Sequence, residues 1–105
     1  MIEIVISKDY SDTPGGRFEK EGPFSGERFR DEILLPKYDE ALSKNEHLKI
    51  DLDGCYGFPS SFLEEAFGGL ARLKQSYDIL QIVDFIANDE PRLVDDIVKY
   101  VKEAF

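Results

Sequence analysis

The chain has 105 residues, of which 42% are hydrophobic and 33% are charged. This length and composition are typical of one folded domain, spanning residues 1–105, and exclude a disordered tail. The 22 acidic and 13 basic residues give a net charge of −9, so we expect no binding to nucleic acid phosphates or to anionic membrane surfaces.

A single cysteine, Cys55, and a single histidine, His47, limit the chemistry that the chain can carry out. One cysteine rules out an internal disulfide and a cysteine metal cluster, and one histidine rules out a histidine triad. No apolar run reaches the ~20 residues of a membrane span, and the N-terminus has an acid where a signal peptide has Lys or Arg. We therefore expect a cytoplasmic protein without cofactor or metal.

The first half of the chain predicts a strand, a long loop and a helix. The β-branched run over residues 2–6 predicts a buried strand. Residues 7–24 are rich in Pro and Gly and predict turns, interrupted by a short strand at residues 17–19. Ser25 is expected to cap a helix, and Pro36 should kink or divide that helix.

The middle of the chain predicts a second strand and a second helix. Apolar residues alternate over residues 47–52, as in a strand. Ser61 and Glu64 have the spacing of a capping box, which predicts a helix start. Gly68 and Gly69 cost about 1 kcal/mol each relative to Ala in such a helix, so we expect a kink or close approach of another backbone there.

The last third predicts a central strand and a final helix. Residues 79–85 are almost all apolar, as in a buried strand, and Asn88 precedes a helical apolar stripe that it is expected to cap. Strand and helix alternate from residue 48 onward, which requires parallel strands with right-handed crossovers. The predicted fold is α/β, with a mixed sheet of about four strands packed by three main helices.

An Asp-x-Asp pair, Asp51 and Asp53, follows the second predicted strand. Phosphatases with an aspartate nucleophile use such a pair to attack phosphorus and to hold Mg²⁺. Here Cys55 replaces the usual Thr or Val, and only about fifty residues follow, too few for the rest of such an enzyme. The alternative, which we favour, has Asp51 facing solvent and Asp53 bonding its own turn, so we expect no catalytic residue.

Cys55 and His47 would have to lie together to form a reactive thiolate pair. Cys55 is not directly at a predicted helix start, where its pKa would fall, and His47 lies in a polar stretch. A role as a small buried hydrophobic residue for Cys55 and an exposed position for His47 are the simpler interpretation.

The start of the second helix has the best physical case for a binding site. First-turn amides and the helix dipole favour an anion near Ser60 and Ser61, although capping by Ser61 explains this pattern as well. Arg17 would complete a small-ligand or nucleotide site. Pairing of Arg17, Arg28 or Arg30 with acids of this acidic chain is the alternative that we favour.

Two stretches resemble a known family: PGGRF (14–18) with GPFSGERFR (22–30), and IDLDGCYGFPSSFLEEAFGGL (50–70). They are similar to the bacterial STAS-like domain-of-unknown-function family, small relatives of sulfate-transporter and anti-sigma-factor-antagonist domains. The resemblance covers nearly the whole chain and implies a mixed sheet backed by helices, with no known catalysis.

The better-understood antagonists have a Ser at the start of a helix that a partner kinase phosphorylates. The resemblance places that Ser at Ser60, which makes phosphorylation of Ser60 a hypothesis. The flanking Asp and Gly of the antagonists are replaced by Pro59 and Phe62. Partners of the relatives suggest an ATPase-type kinase or an anti-sigma factor as the partner.

These observations predict a non-enzymatic protein-interaction or regulatory module, with a partner-switching role as the specific hypothesis. The expected binding surface consists of Tyr56, Gly57, Phe58, Ser60, Ser61 and Arg17. A small-ligand or nucleotide-binding domain and an Mg²⁺-dependent phosphatase are the alternatives.

Overall fold

The computed structural model describes residues 2–105 and shows an α/β fold built on a parallel sheet. Over these residues the sheet has three strands in the order β1-β2-β3. The strands are β1 (Ile2–Val5), β2 (Leu48–Asp51) and β3 (Val83–Ile86). In their register, Ile4 lies beside Ile50.

Helical segments follow each strand. In chain order they are α1 (Ile6–Asp9), a 3₁₀ turn (Glu19–Glu21), α2 (Gly26–Phe29), a first π-helical turn (Arg30–Leu34), α3 (Leu35–Lys44), α4 (Ser60–Leu63), a second π-helical turn (Glu64–Gly68), α5 (Gly69–Lys74), α6 (Ile79–Ile82) and α7 (Arg92–Lys102). The π-helical turns join α2 to α3 and α4 to α5, so the described chain has three main helical segments, as expected. Within residues 2–105, no helix is long and apolar enough to cross a membrane.

The predicted α/β class and the parallel pairing of the strands after residue 48 are confirmed, but the sheet differs from the prediction in two ways. Residues 17–19 form no strand in the described fold, because the carboxylate of Glu21 accepts hydrogen bonds from the N–H groups of Arg17 and Phe18. All strand neighbours among residues 2–105 are parallel, so the expected mixed edge is also wrong.

Two predicted element boundaries are wrong as well. The apolar run over residues 79–85 is divided, because α6 occupies its first four residues and β3 begins only at Val83. Asn88 does not cap α7: the helix begins after Pro91, and the amide of Asn88 donates to Asp53 instead. A short apolar run fits a helical turn and a strand equally well, so periodicity alone could not separate them.

The start of the first main helical segment follows the prediction more closely. Ser25 is its N-cap, and the Ser25 hydroxyl accepts a hydrogen bond from the backbone N–H of Arg28 at 3.1 Å. Pro36 does not divide the segment. It is the second residue of α3, one residue past the first π-helical turn, in which the hydrogen-bond pattern has already widened.

Glycines allow the helical segments to pack closely. The predicted approach of another backbone is found at Gly68, whereas Gly69 makes room for a side chain. A Cβ atom added at Gly68 would lie 3.3 Å from the carbonyl oxygen of Tyr100, and one at Gly69 would lie 2.8 Å from Nη1 of Arg30. Gly26 contacts the second main segment even more tightly. These approaches give the segments a fixed arrangement above the sheet.

The two faces of the sheet differ in polarity. Ile4, Ile50 and their neighbours point into the core beneath the helical segments and are fully buried. On the other face, Glu3, Lys49 and Asp84 are register neighbours, and both acids are exposed. The core therefore lies between one sheet face and the helices.

Candidate interaction surface

The loops that follow the three strands meet at one edge of the sheet. Because the strands are parallel, their carboxyl ends lie together, as at ligand sites of other α/β sheets. The backbone N–H of Tyr56 donates to the carbonyl oxygen of Asp12 at 2.8 Å. The N–H of Gly54 donates to Oδ2 of Asp89 at 3.0 Å. The β2–α4 loop is thus bonded to both neighbouring loops.

The Asp-x-Asp pair holds these loops in place. Oδ1 of Asp51 accepts from the N–H of Asp53 at 2.9 Å, while the Asp53 carboxylate accepts from Asn88 and from the N–H of Asp89. The expectation that Asp53 bonds its own turn is therefore wrong, since Asp51 does so. Gly54 follows with φ of 89°, a left-handed conformation that favours glycine.

These contacts favour a structural role for Asp51 and Asp53. Each carboxylate already accepts hydrogen bonds that fix the loops. Across residues 2–105 no group of three His, Cys, Asp or Glu side chains could hold a metal ion.

An open cleft of about 410 Å³ lies between the first and second loops. It is lined by Thr13, Pro14, Tyr56, Gly57, Phe58 and Pro59. Tyr56 is 86% exposed. The Phe58 ring packs against the buried Phe62 ring, with 5.9 Å between the ring centroids. Three residues of the predicted binding surface, Tyr56, Gly57 and Phe58, therefore line one apolar cleft.

Ser60 and Ser61 begin α4 directly beside this cleft. Pro59 is the N-cap residue, and the predicted capping box of Ser61 with Glu64 does not form. Within the described residues neither serine hydroxyl has a hydrogen-bond partner, and Ser60 is exposed. Neither hydroxyl therefore caps the start of α4 in the described fold.

Glu64 instead belongs to an ion-pair network. Nη1 of Arg17 lies 2.5 Å from Glu64 and 3.3 Å from Glu65, and Nη1 of Arg72 lies 2.6 Å from Glu64. Arg30 reaches Glu65 at 2.5 Å. Hydrogen bonds from Arg72, and then from Arg17, hold the pKa of Glu64 below its usual value against the opposing effect of burial.

Arg17 therefore pairs with acidic residues of the fold, as the favoured alternative predicted. Its guanidinium fastens the residue 7–24 loop to the second π-helical turn. That loop supplies Thr13 and Pro14 to the cleft, so Arg17 acts on the surface by positioning one wall.

Cys55 and His47 lie at opposite ends of β2 and do not meet. Burial, with the carboxylates of Asp12 and Asp51 adding to it, raises the pKa of Cys55 to about 11. His47 is exposed and contacts Asp84 at 3.0 Å. The thiol is therefore protonated at neutral pH.

Sequence reasoning missed the residues that support the cleft from below. The Tyr10 ring packs against Phe24, Phe29 and Phe62, and its hydroxyl donates to the carbonyl oxygen of Ser25 at 2.8 Å. Burial raises the pKa of Tyr10 to about 12. The only local signal was an aromatic residue at the start of a Pro- and Gly-rich loop, which does not reveal contacts across the fold.

A family model described as a STAS-like domain of unknown function matches residues 25–93. The match includes β2, β3, the loop with Tyr56 and Phe58, and the start of α4. Comparison with curated proteins and with solved structures gives no match.

Proposed function

This chain belongs to the family of STAS-like domains of unknown function, and we propose that it is a non-enzymatic protein-interaction module in a regulatory partner switch. The α/β fold is consistent with this family. The observation that carries the proposal is Tyr56, an aromatic side chain 86% exposed beside an apolar cleft.

Exposed aromatic residues beside an apolar depression are typical of protein interfaces. Tyr buries a large area on binding and is enriched among the residues that dominate binding energy. Phe58 adds apolar surface beside it and is itself packed on Phe62. The surface therefore offers an anchor and a place for a partner side chain.

The loop that carries Tyr56 is already held in one conformation. Hydrogen bonds join it to Asp12 on one side and to Asp89 on the other. A surface that is ordered before binding loses less conformational entropy when the partner arrives. This supports recognition by Tyr56 rather than a mobile linker role for the loop.

In this proposal, Ser60 is the regulatory residue of the same surface. It is exposed and lies two residues after Phe58. A phosphoryl group there would add up to about two negative charges beside the cleft. We propose another protein as the partner, with an ATPase-type kinase or an anti-sigma factor as the specific expectation from the family resemblance.

Site-specific photo-crosslinking in native cells tests the proposal. A benzophenone amino acid is placed at Tyr56, and in a matched control at Leu73, which is also exposed but lies on α5. We expect one protein adduct from position 56 that is absent from position 73. No adduct, or the same adducts from both positions, would exclude this surface as the interface.

A further inference from the structure

We propose that the partner inserts a positively charged peptide segment with an apolar anchor side chain into the cleft beside Tyr56. This inference rests on the proposed function and adds the chemistry of the partner. It follows from what lines the cleft and from where unpaired charge lies around it.

The lining of the cleft fits an apolar anchor. Of its six residues, only Thr13 and Tyr56 have a polar group in the side chain, and neither carries a charge at neutral pH. Tyr56 presents an exposed ring at the cleft, and such a ring attracts Lys or Arg through its face as well as burying apolar area. Both properties suit a segment that combines an apolar side chain with basic residues.

Four carboxylates, called here the rim carboxylates, lie on or next to the loops that form the cleft or are bonded to them: Asp12, Asp51, Asp53 and Asp89. Asp12 directly precedes the cleft residue Thr13, and Asp89 is bonded to the loop two residues before Tyr56. The hydrogen bonds to the carboxylates of Asp51, Asp53 and Asp89 come from neutral donors. In the described part of the chain, no Lys or Arg nitrogen lies within 4.0 Å of them.

The basic residues of the chain are largely engaged elsewhere. Arg17, Arg30 and Arg72 pair with glutamates of the second π-helical turn, and Lys44 and Lys74 pair with acids of α3. Uncompensated negative charge therefore remains at the rim. The carboxylates of Asp12 and Asp51 also disfavour a thiolate at Cys55, which is a local effect of the same charge.

Charge decides among the possible occupants of the cleft. A second copy of this chain carries the same net charge of −9 and would be repelled. A basic segment is attracted instead, and complementary charge speeds association and excludes wrong partners.

Selection from a random 12-residue peptide display library on the full chain tests this chemistry. We expect enriched peptides to be net positive with an aromatic or aliphatic residue. Binding of the purified peptides should weaken about tenfold in Tyr56→Ala, as for an interface anchor. The peptides should associate several-fold more slowly with the Asp12→Asn variant than with the unmodified chain, and this difference in rate should shrink at high salt.

Glu103→Gln is the matched control, because Glu103 is an exposed acid just beyond the C-terminal end of α7. Its association rate should equal that of the unmodified chain. Enrichment of neutral or acidic peptides, or no enrichment, would overturn the inference. Equal association rates for Asp12→Asn and Glu103→Gln would overturn it as well.

The crosslinked partner peptide separates failure of this inference from failure of the proposed function. If position 56 gives a specific adduct with an acidic or neutral segment, the interface stands and the charge inference is wrong. If position 56 gives no adduct, the proposed function itself fails.

Discussion

Nη1 of Arg30 lies 2.5 Å from Oε2 of Glu65, and each residue belongs to one of the two π-helical turns, which pack against each other. Both side chains are only 12% exposed. Arg17 extends this network to the loop that forms one wall of the cleft. The wall of the cleft that Arg17 holds is thus linked to partly buried charge pairs between the two main helical segments.

Replacing Glu65 by Gln should destabilise the fold. The change leaves Arg30 and Arg17 with less negative charge in a partly buried place. Breaking a buried pair costs roughly 3–5 kcal/mol, and we expect a loss at the lower end of that range because both side chains are 12% exposed. Chemical denaturation measures this loss. Glu32→Gln, which breaks the exposed pair with Arg28, is the control and should change stability little. Equal stabilities of the two variants would contradict a structural role for the network.

Replacing Arg17 by Gln should loosen the loop that carries Thr13 and Pro14 without unfolding the domain. Hydrogen exchange would then become faster at the amides of Gly26 and Glu27, which donate to the carbonyl oxygens of Gly16 and Arg17 and so join the start of α2 to the loop. Arg92→Gln is the control, since that side chain is 77% exposed. Unchanged exchange in Arg17→Gln would show that the backbone bonds hold the loop unaided.

Gly26→Ala should be strongly destabilising. A Cβ atom there would lie 2.5 Å from the backbone carbonyl oxygen of Phe62, so the two helical segments would have to separate. Overpacking of this kind costs about 1–3 kcal/mol or more. Gly15→Ala, which meets nothing within 4 Å, should stay within about 0.5 kcal/mol of the unmodified chain. Thermal unfolding of both variants decides, and similar midpoints would argue against close helix contact at Gly26.

The elements that sequence predicts well are those with a strong local pattern. β1 and β2 were placed within about two residues, because β-branched and alternating residues fit a pleated strand and little else. The N-cap role of Ser25 and the close approach at Gly68 were also predictable, since only a few local conformations suit those residues.

The errors arise where a distant group competes with a local pattern. Glu64 has the right spacing for a capping box with Ser61, but Arg17 and Arg72 offer it stronger charged partners. Asn88 could cap a helix locally, yet it donates to Asp53 across the fold. The contact between the three loops at the candidate surface can likewise be derived only once the parallel register of the strands is known.

Cys55 should react slowly with alkylating reagents in the folded protein. Its pKa is raised from 9.0 to about 11, so at pH 8 the folded chain has about 100-fold less thiolate than a cysteine with the ordinary value. Labelling by iodoacetamide, measured by mass spectrometry, should be much faster in denaturant. The labelling rate of the folded protein should keep rising up to about pH 11. Equal native and denatured rates would contradict the burial of the thiol.

The same raised pKa predicts the direction of alkaline destabilisation. The folded state holds the Cys55 proton more tightly than the unfolded chain does, so its contribution to stability is complete below about pH 9 and is lost as pH rises towards 11. Cys55→Ala should flatten the fall in unfolding free energy over that range. If the unfolding free energy falls equally steeply with pH in both proteins, other titrating groups cause the loss of stability.

Ser60→Glu should leave the fold intact and speed the association of basic peptides selected on the cleft. The exposed Ser60 hydroxyl has no hydrogen-bond partner in the described fold, so the unfolding midpoint should hardly move. The new carboxylate adds to the negative rim, and the gain should vanish at high salt. Ser43→Glu, near the end of α3, is the control and should not change association. A Ser60→Glu rate equal to that of Ser43→Glu would place Ser60 outside the interaction surface.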